Sequence, residues 1–331
     1  MTRFVFFGEI LLRLTAPGRE LLFQSPRLDT VFGGAEANVA VSLSRFGHET
    51  RMASVLPDNA IGHAARDTLR GHGVDTGAIR FAPGRMGIYF LTPGAGQRPS
   101  DVLYDRAGSA FAAATADAID WTRALEGADW LHVSGVTPAV SAAGGVAALA
   151  AMKAARAAGV KVSYDANFRA KLWEARGDDP RPVLDALMGE ADLAFAEARD
   201  YALITGQRFE SSMDAIAAAF ARYPNLQRIA HTSRKAISSD HNDLSAEMHT
   251  RSAHFRAATK SVTGIVDRIG GGDAFAAGVL HGLATGAADQ SLLEFALAAA
   301  CLKHFIPGDA NLVSADDVRF FMANPNADVR R

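Results

Sequence analysis

The chain has 331 residues, of which 49% are hydrophobic, so it is long enough to bury a full-sized core. Its 34 basic and 36 acidic residues nearly balance and are interspersed, which excludes the broad basic surface typical of nucleic-acid-binding proteins. The single cysteine, Cys301, excludes an intrachain disulfide and fits a reducing compartment.

The sequence carries no export or membrane signal that we can recognise. Its first apolar run covers only residues 4–7 and ends at Gly8, whereas a signal peptide needs a longer apolar region. The most apolar long stretch, residues 136–160, contains Pro138 and Lys153 and predicts a packed helix, not a membrane span. We therefore expect a cytoplasmic protein without a membrane or nucleic-acid partner.

The first predicted elements are a buried strand and a pair of more exposed ones. Residues 4–7 form a short apolar run, as expected for a strand buried on both faces. Residues 10–32 alternate weakly between apolar and polar and are broken by Pro17 and Pro26, which favours exposed antiparallel strands. Two glycines then lead into a helix predicted over residues 36–46.

The rest of the chain predicts strands and helices in alternation. Residues 86–106 read as a hairpin, while the remaining candidates cover 51–56, 61–72, 130–133, 142–158, 161–165, 182–188, 193–196, 213–223 and 228–231. Such alternation favours a mostly parallel sheet flanked by helices. Segments 10–32 and 86–106 then form a small β lid on a single domain over 1–324, with a flexible tail at 325–331.

Three consecutive glycines, Gly270, Gly271 and Gly272, precede Asp273 in the most informative segment. Helical composition follows, so the glycines lie at a predicted helix N-terminus, where free N–H groups suit a phosphate or a developing anion. Asp273 is then a candidate base for a substrate hydroxyl, as phosphoryl transfer requires. A tight loop with Asp273 as a helix cap remains the alternative. The segment is neither a Walker A loop nor a dinucleotide fingerprint.

Two segments resemble signatures of one enzyme family. Residues 267–273, Asp-Arg-Ile-Gly-Gly-Gly-Asp, resemble the D-T-x-G-A-G-D signature of the ribokinase-like (PfkB) carbohydrate kinases, and residues 33–40 resemble their N-terminal signature. The resemblance implies an α/β three-layer sandwich with a mostly parallel central sheet and a small β lid. It also implies Asp273 as the base, the three glycines as an anion hole, and sugar contacts from Gly34 and Asn38. Mg²⁺-ATP is the implied phosphoryl donor, and a monovalent cation is a further candidate.

Within that family, several segments resemble the 2-keto-3-deoxygluconate kinases: residues 8–14, 104–106, 165–173, 267–273 and 303–309. A sugar acid carries a carboxylate, for which arginine offers a planar fork of donors. By resemblance, Arg169 is this clamp, and Tyr89, Tyr104 and Arg106 reach in from the lid. From the residues alone, Arg169 also fits a surface ion pair, and the two tyrosines also fit cross-strand packing.

The nucleotide side is placed by resemblance alone, at Thr232, Ser233, Arg234, Lys303 and Asn311. The family usually carries an Asn-x-x-Glu motif that helps to organise Mg²⁺, and here Glu197 and Asp200 stand in its place. These two are the candidate metal-binding residues, in an altered arrangement. His231 and His304 are expected to serve packing or hydrogen bonding, because no cluster with metal-ligand spacing accompanies them in the sequence.

The leading hypothesis is an ATP-dependent kinase that phosphorylates the 6-hydroxyl of 2-keto-3-deoxygluconate. A kinase for a neutral sugar such as fructose or ribose is one alternative. A catalytically weak sugar-binding sensor on the same fold is another, motivated by the altered residues Glu197 and Asp200. A nicotinamide-dependent dehydrogenase lacks its glycine fingerprint. We also expect a homo-oligomer formed through the lid, since exposed sheets often pair with a copy of themselves.

Overall fold

Thirteen strands are present in residues 1–324, the part of the chain that the computed structural model describes. The predicted flexible tail, 325–331, lies outside the described residues. The strands are β1 Arg3–Phe7, β2 Leu11–Thr15, β3 Asp29–Gly33, β4 Glu49–Pro57, β5 Asp75–Ala82, β6 Gly87–Thr92, β7 Asp101–Asp105, β8 Trp130–Ser134, β9 Lys161–Asp165, β10 Leu193–Phe195, β11 Arg228–Ser238, β12 His241–Thr250 and β13 His254–Thr263.

The helices alternate with these strands, and several begin at a polar side chain that accepts from the first-turn amides, such as Asn59 before α2. Within the described chain, they are too short or too polar to cross a bilayer. They are α1 Ala35–Arg45, α2 Ala60–Gly71, α3 Ala110–Ala113, α4 Trp121–Ala124, α5 Val136–Val140, α6 Ala142–Ala157, α7 Ala170–Arg176, α8 Arg181–Glu190, α9 Ala198–Thr205, α10 Ser212–Arg222, α11 Gly271–Ala284, α12 Asp289–Lys303 and α13 Ala315–Ala323.

The central sheet has nine strands in the order β13-β12-β11-β10-β9-β8-β1-β4-β5. Neighbouring strands among β5, β4, β1, β8, β9, β10 and β11 all pair in parallel. Strands β12 and β13 add antiparallel pairs at the β11 edge. Strand β1 lies between β4 and β8 and is apolar throughout its buried part, because helices cover both of its faces. The expectation of a mostly parallel sheet is confirmed.

Two hydrophobic clusters fill the space on the two faces of this sheet. One contains residues of α1, α11 and α12, such as Leu43 and Phe275, and the other contains residues of α6, α8 and α10, such as Met152 and Phe220. Helix, sheet and helix layers therefore form the three-layer sandwich expected from the sequence.

A second, four-stranded sheet has the order β3-β2-β6-β7. Strands β2 and β6 pair in parallel, and β3 and β7 flank them with antiparallel pairs. All four strands come from the two segments from which the lid was predicted. This small sheet covers one side of the cleft described below.

The antiparallel edge of the central sheet was not predicted from the sequence. The prediction ended the strand at residue 231, whereas β11 continues to Ser238 and is followed by the long strands β12 and β13. A signal was present, because the apolar residues Leu244, Ala246 and Met248 alternate with polar ones.

Candidate active site

A cleft of about 560 Å³ opens between the small sheet and the N-terminus of α11. It brings together residues from segments that are far apart in the sequence. The residues singled out from the sequence that line it are Gly34, Asn38, Tyr89, Tyr104, Arg106, Arg169, Thr232, Arg234, Gly270, Gly271, Gly272 and Asp273.

The glycine run forms the first turn of α11, as the sequence predicted. Gly270 caps the helix with a φ of 81°, and a Cβ atom there would lie 1.8 Å from the carbonyl oxygen of Asp309, so that only glycine fits. Within residues 1–324, the amide groups of Gly272 and Asp273 donate to no protein atom, while that of Gly271 makes a long bond of 3.4 Å. The helix therefore presents free donors to the cleft, the arrangement that binds anions.

Asp273 lies in this first turn, and its carboxylate is tied to the opposite wall of the cleft. Oδ2 of Asp273 accepts a 2.7 Å hydrogen bond from the side-chain amide of Asn38, whose own Oδ1 accepts from the backbone of Gly34 at 3.3 Å. Burial raises the pKa of Asp273 to about 7, although the bond from Asn38 favours the charged form. A carboxylate that titrates near neutral pH is suited to accept and release a proton.

A buried ionic network supports the glycine turn from below. Arg13 contacts Asp267 at 2.6 Å and Asp309 at 2.7 Å, and the hydroxyl of Tyr89 donates to the other oxygen of Asp309 at 2.6 Å. The hydroxyl of Tyr89 is thus bound within this network, so a ligand in the cleft can contact Tyr89 only through its aromatic ring. The backbone carbonyl of Asp309 packs against Gly270, so the ion pairs of Asp309 also fix the position of the glycine turn.

The arginines on the substrate side of the cleft differ in their pairing. Arg106 is buried and paired with Glu9, its Nε lying 2.7 Å from Oε2, and its guanidinium lies 5.7 Å from the ring centre of Tyr104. Arg169, by contrast, is exposed and forms no ion pair with residues 1–324. Its charge is available to a ligand.

Two further arginines give the glycine side of the cleft positive charge. Arg234 from β11 and Arg268 from the loop before the glycines both line the cleft, and neither has an acidic partner within the described chain. Burial, and next the charge of Arg234, lowers the pKa of Arg268. Uncompensated positive charges close together favour an anionic ligand.

Comparison with known proteins agrees with this geometry. The profile of the pfkB family carbohydrate kinases matches residues 1–314. The chain belongs to this family. Its site is therefore that of a carbohydrate kinase.

Individual relatives are similar over nearly the whole kinase. The chain is 30% identical to the 2-dehydro-3-deoxygalactonokinase of Haloferax volcanii, over 99% of this chain and 98% of that protein. It is 27% identical to the 2-dehydro-3-deoxygluconokinase of Bacillus subtilis, over 92% and 90%. The crystal structure of the 2-dehydro-3-deoxygluconokinase of Thermotoga maritima superposes with a TM-score of 0.92 at 36% identity, covering 98% of this kinase and 100% of that chain.

Three residues expected at the nucleotide pocket of the kinase do not line the cleft. Ser233 points to the opposite face of β11 from Thr232 and Arg234, because side chains alternate along a strand. Lys303 is fully buried and donates to the carbonyl of Ile306 at 3.0 Å. Asn311 is also buried and donates to Ser42 at 3.0 Å. Ser233, Lys303 and Asn311 therefore lie outside this cleft, and their role in nucleotide binding stays a prediction.

Glu197 and Asp200, expected to bind a metal, form a capping box at the start of α9. Oδ2 of Asp200 accepts from the Glu197 amide at 2.7 Å, and Arg199 donates to the Glu197 side chain at 3.0 Å. Both carboxylates border a second pocket of about 470 Å³, which shares Asp165, Arg169 and Gly272 with the cleft. They do not form a preformed metal cage by themselves.

Two cleft residues received no role from the sequence. Asp165 ends β9 at the carboxyl edge of the sheet, where ligands of parallel α/β sheets bind, and burial followed by the charge of Asp273 raises its pKa to about 8. Asn167 adopts a φ of 33°, which is uncommon for a residue other than glycine. The position of Asp165 at the end of a buried strand, and of Asn167 just after it, was the signal that could have identified them.

His304 packs as expected, because its Nδ1 lies 2.7 Å from the carbonyl oxygen of Ala300 and its ring lies under Gly271. His231 departs from the expectation. Together with Glu247 and His249 it forms the one group in residues 1–324 whose side chains are close enough to hold a metal ion. The sequence did not reveal this group, because Glu247 and His249 lie on β12, a strand that was not predicted.

Proposed function

We propose that this kinase transfers the γ-phosphoryl group of ATP to the 6-hydroxyl of a 2-keto-3-deoxy sugar acid, with 2-keto-3-deoxygluconate or its C4 epimer as the leading substrates. The observation that carries the proposal is the unpaired guanidinium of Arg169 beside the Asp273 carboxylate and the free amides of α11. Arginine suits a substrate carboxylate, and the relatives described above are named for such sugar acids.

The proposed reaction uses Asp273 as its base. As the substrate oxygen forms a bond to the γ-phosphorus, its proton passes to the carboxylate of Asp273, and the bond from that phosphorus to the β–γ bridging oxygen breaks to release ADP. The amides of Gly272 and Asp273 stabilise the charge on the transferred group. Asn38 holds the carboxylate in place through its 2.7 Å hydrogen bond.

The nucleotide would occupy the side of the cleft lined by Thr232, Arg234 and Arg268, where the positive charges suit phosphates. Mg²⁺ bound together with ATP would supply positive charge that offsets the charge of the phosphates during transfer. It usually keeps several waters and needs few protein ligands, which fits a site where Asp200 retains one carboxylate oxygen beyond its bond to the Glu197 amide. A monovalent cation remains a prediction.

A neutral-sugar kinase is the second candidate. The observation that favours it is the pairing of Arg106 with Glu9, which removes one of the two predicted cations from the substrate side and leaves Arg169 alone. A carboxylate such as Glu9 also accepts hydrogen bonds from sugar hydroxyls.

Coupled detection of ADP distinguishes these functions. We would compare 2-keto-3-deoxygluconate, its C4 epimer, gluconate, fructose and ribose at matched concentrations, with Asp273→Asn as the inactive variant. The proposal expects the highest kcat/KM on a 2-keto-3-deoxy acid. Turnover of fructose or ribose alone would reject the acid assignment, and binding without turnover would favour the sensor on the same fold. A cytoplasmic location, a single domain and oligomerisation through the small sheet stay predictions.

A further inference from the structure

The antiparallel edge of the central sheet carries a group of histidines that the kinase chemistry does not use. His231 of β11 lies opposite Glu247 of β12, and His249 of β12 lies opposite His254 of β13. Directly opposed residues of antiparallel strands point to the same face, so all four side chains gather on one surface. We call these four residues the histidine cluster.

The distances within the histidine cluster suit a shared cation. Nε2 of His254 lies 3.0 Å and Nε2 of His249 lies 3.8 Å from Oε2 of Glu247. The ligand atoms of His231, Glu247 and His249 all lie within 4.8 Å of one another. In a tetrahedral zinc site with bonds of 2.0–2.1 Å, neighbouring ligand atoms are about 3.3 Å apart. The rings of His249 and His254 are stacked 4.2 Å apart with an angle of 6° between their planes, so a shared cation requires one of these rings to turn out of the stack.

The cluster also contains an unexplained polar atom. Nδ1 of His231 is buried and has no hydrogen-bond partner within residues 1–324. The buried ring of His249 lies 3.8 Å from Oε2 of Glu247 through its Nε2, which is beyond hydrogen-bond distance. Buried ring nitrogens are normally paired, and an unpaired one needs a partner that the protein itself does not supply.

A simpler explanation is an ordinary ion-pair network. Arg256 donates to Oε1 of Glu247 at 2.7 Å, which neutralises that carboxylate without any metal. That bond leaves Oε2 facing the histidines, however, and it supplies nothing to His231 or His249. A cation bound here would share Glu247 with Arg256 and would depend mainly on the imidazoles.

We propose that His231, His249 and His254, with Glu247, bind one divalent cation of the zinc class and clamp strands β11, β12 and β13 together. Imidazole nitrogens suit zinc and its neighbours in the transition series, whereas Mg²⁺ prefers oxygen ligands. The site is therefore separate from the Mg²⁺ that accompanies ATP. It is close to the cleft, because His231 borders the second pocket and Thr232, the next residue, lines both.

The proposal is tested on the full chain without a polyhistidine tag, after removal of metals with a chelator. Zinc is titrated in competition with a chromophoric chelator, in the presence of excess Mg²⁺, and the bound metal is counted by mass spectrometry. We expect one equivalent, and a loss of affinity of roughly tenfold or more in His249→Ala and in His254→Gln, since even an outer partner of a metal ligand contributes that much. Zinc should raise the melting temperature of the wild type only while the cluster is intact.

His241→Gln is the matched control, because His241 also lies on β12 but its side chain pairs with Ser261 and Asp243, outside the histidine cluster. It should bind zinc like the wild type. Circular dichroism checks the fold of each variant. If His249→Ala does not fold, the zinc affinity of His254→Gln decides the test, because His254 is more exposed. No bound equivalent in the wild type, or equal affinity in His254→Gln and the wild type, would overturn the proposal.

Discussion

The side-chain amide of Asn38 donates a 2.7 Å hydrogen bond to the carboxylate of Asp273, a residue that follows it by 235 positions in the sequence. The bond joins the first helix of the chain to the glycine turn of α11, so the two segments that resemble family signatures meet in one contact. Because the amide is a donor, it favours the ionised carboxylate and restricts its rotation.

The first prediction concerns the base. Asp273→Asn keeps the size of the side chain and an oxygen for the bond from Asn38, but an amide does not accept the substrate proton. We expect kcat to fall by about 10²–10⁴-fold, the usual contribution of a general base, with a small change in KM. Steady-state ADP release measures both. Asp316→Asn, on the exposed face of α13, is the control and should retain full activity.

The pH dependence of the rate follows from the same carboxylate. The pKa of Asp273 is raised to about 7, mainly by burial, and the reaction needs the deprotonated form. We therefore expect kcat/KM, which reports the free enzyme, to fall about tenfold per pH unit below this value and to level off above it. Asn38→Ala removes a hydrogen bond that favours the charged form, so the inflection should move to higher pH. A profile flat from pH 5 to pH 8 would exclude Asp273 as the base.

Local patterns predicted the parts of the site that depend on neighbours in sequence. The run of Gly270, Gly271 and Gly272 before residues of helical composition was enough to place the turn at a helix N-terminus, and Asp273 came with it. The same holds for the alternation of strands and helices, because amphipathic periodicity is a local property. The small sheet was visible for the same reason, through its prolines and weakly alternating strands.

Contacts between distant segments were not visible in the sequence. Arg13 and Asp309 are 296 residues apart, and nothing in either segment indicates that they form an ion pair beneath Gly270. Glu197 and Asp200 show a different limit, since a carboxylate at a helix start serves equally as a cap or a metal ligand, and only coordinates reveal which atoms it contacts. The histidine cluster forms only when β11, β12 and β13 pair in the correct register, so no local pattern in the sequence indicates it.

The third prediction separates acid from neutral substrates. Arg169→Ala removes the unpaired cation of the substrate side, so we expect kcat/KM for a 2-keto-3-deoxy acid to fall roughly tenfold to a hundredfold, as for a lost hydrogen bond to a charged group. Arg169→Lys should retain only part of the wild-type kcat/KM for this acid, because an ammonium group lacks the planar fork of donors. Any activity on fructose should not change. Arg208→Ala, at an exposed position, is the control, and equal losses on acid and neutral sugars would contradict the assignment.

The fourth prediction concerns stability and compares two ion pairs that lie next to the strands of the small sheet. Glu9 and Arg106 are 4% and 6% exposed, so Glu9→Gln leaves a buried charge without its counter-ion and should lower the free energy of unfolding by about 3 kcal/mol. Arg85 and Asp105 form a similar pair on the surface, and Asp105→Asn should lower it by about 0–1 kcal/mol. Urea unfolding without ligand measures both. Equal losses would show that burial of the first pair has no energetic consequence.

The last prediction separates the fold of the glycine turn from its chemistry. Gly270→Ala would place a methyl group 1.8 Å from the carbonyl oxygen of Asp309 and force alanine to a φ of 81°, so we expect a loss of more than about 2 kcal/mol in stability. Gly272→Ala meets nothing within 4 Å and lies in the first turn of α11, where alanine is favoured over glycine by about 0.5–1 kcal/mol. That variant should be as stable as the wild type or more so, yet its kcat/KM should fall, because the methyl group enters the space over the free amides. Thermal unfolding and ADP release together test the pair. Full activity in Gly272→Ala would mean that the transferred phosphoryl group does not approach this turn.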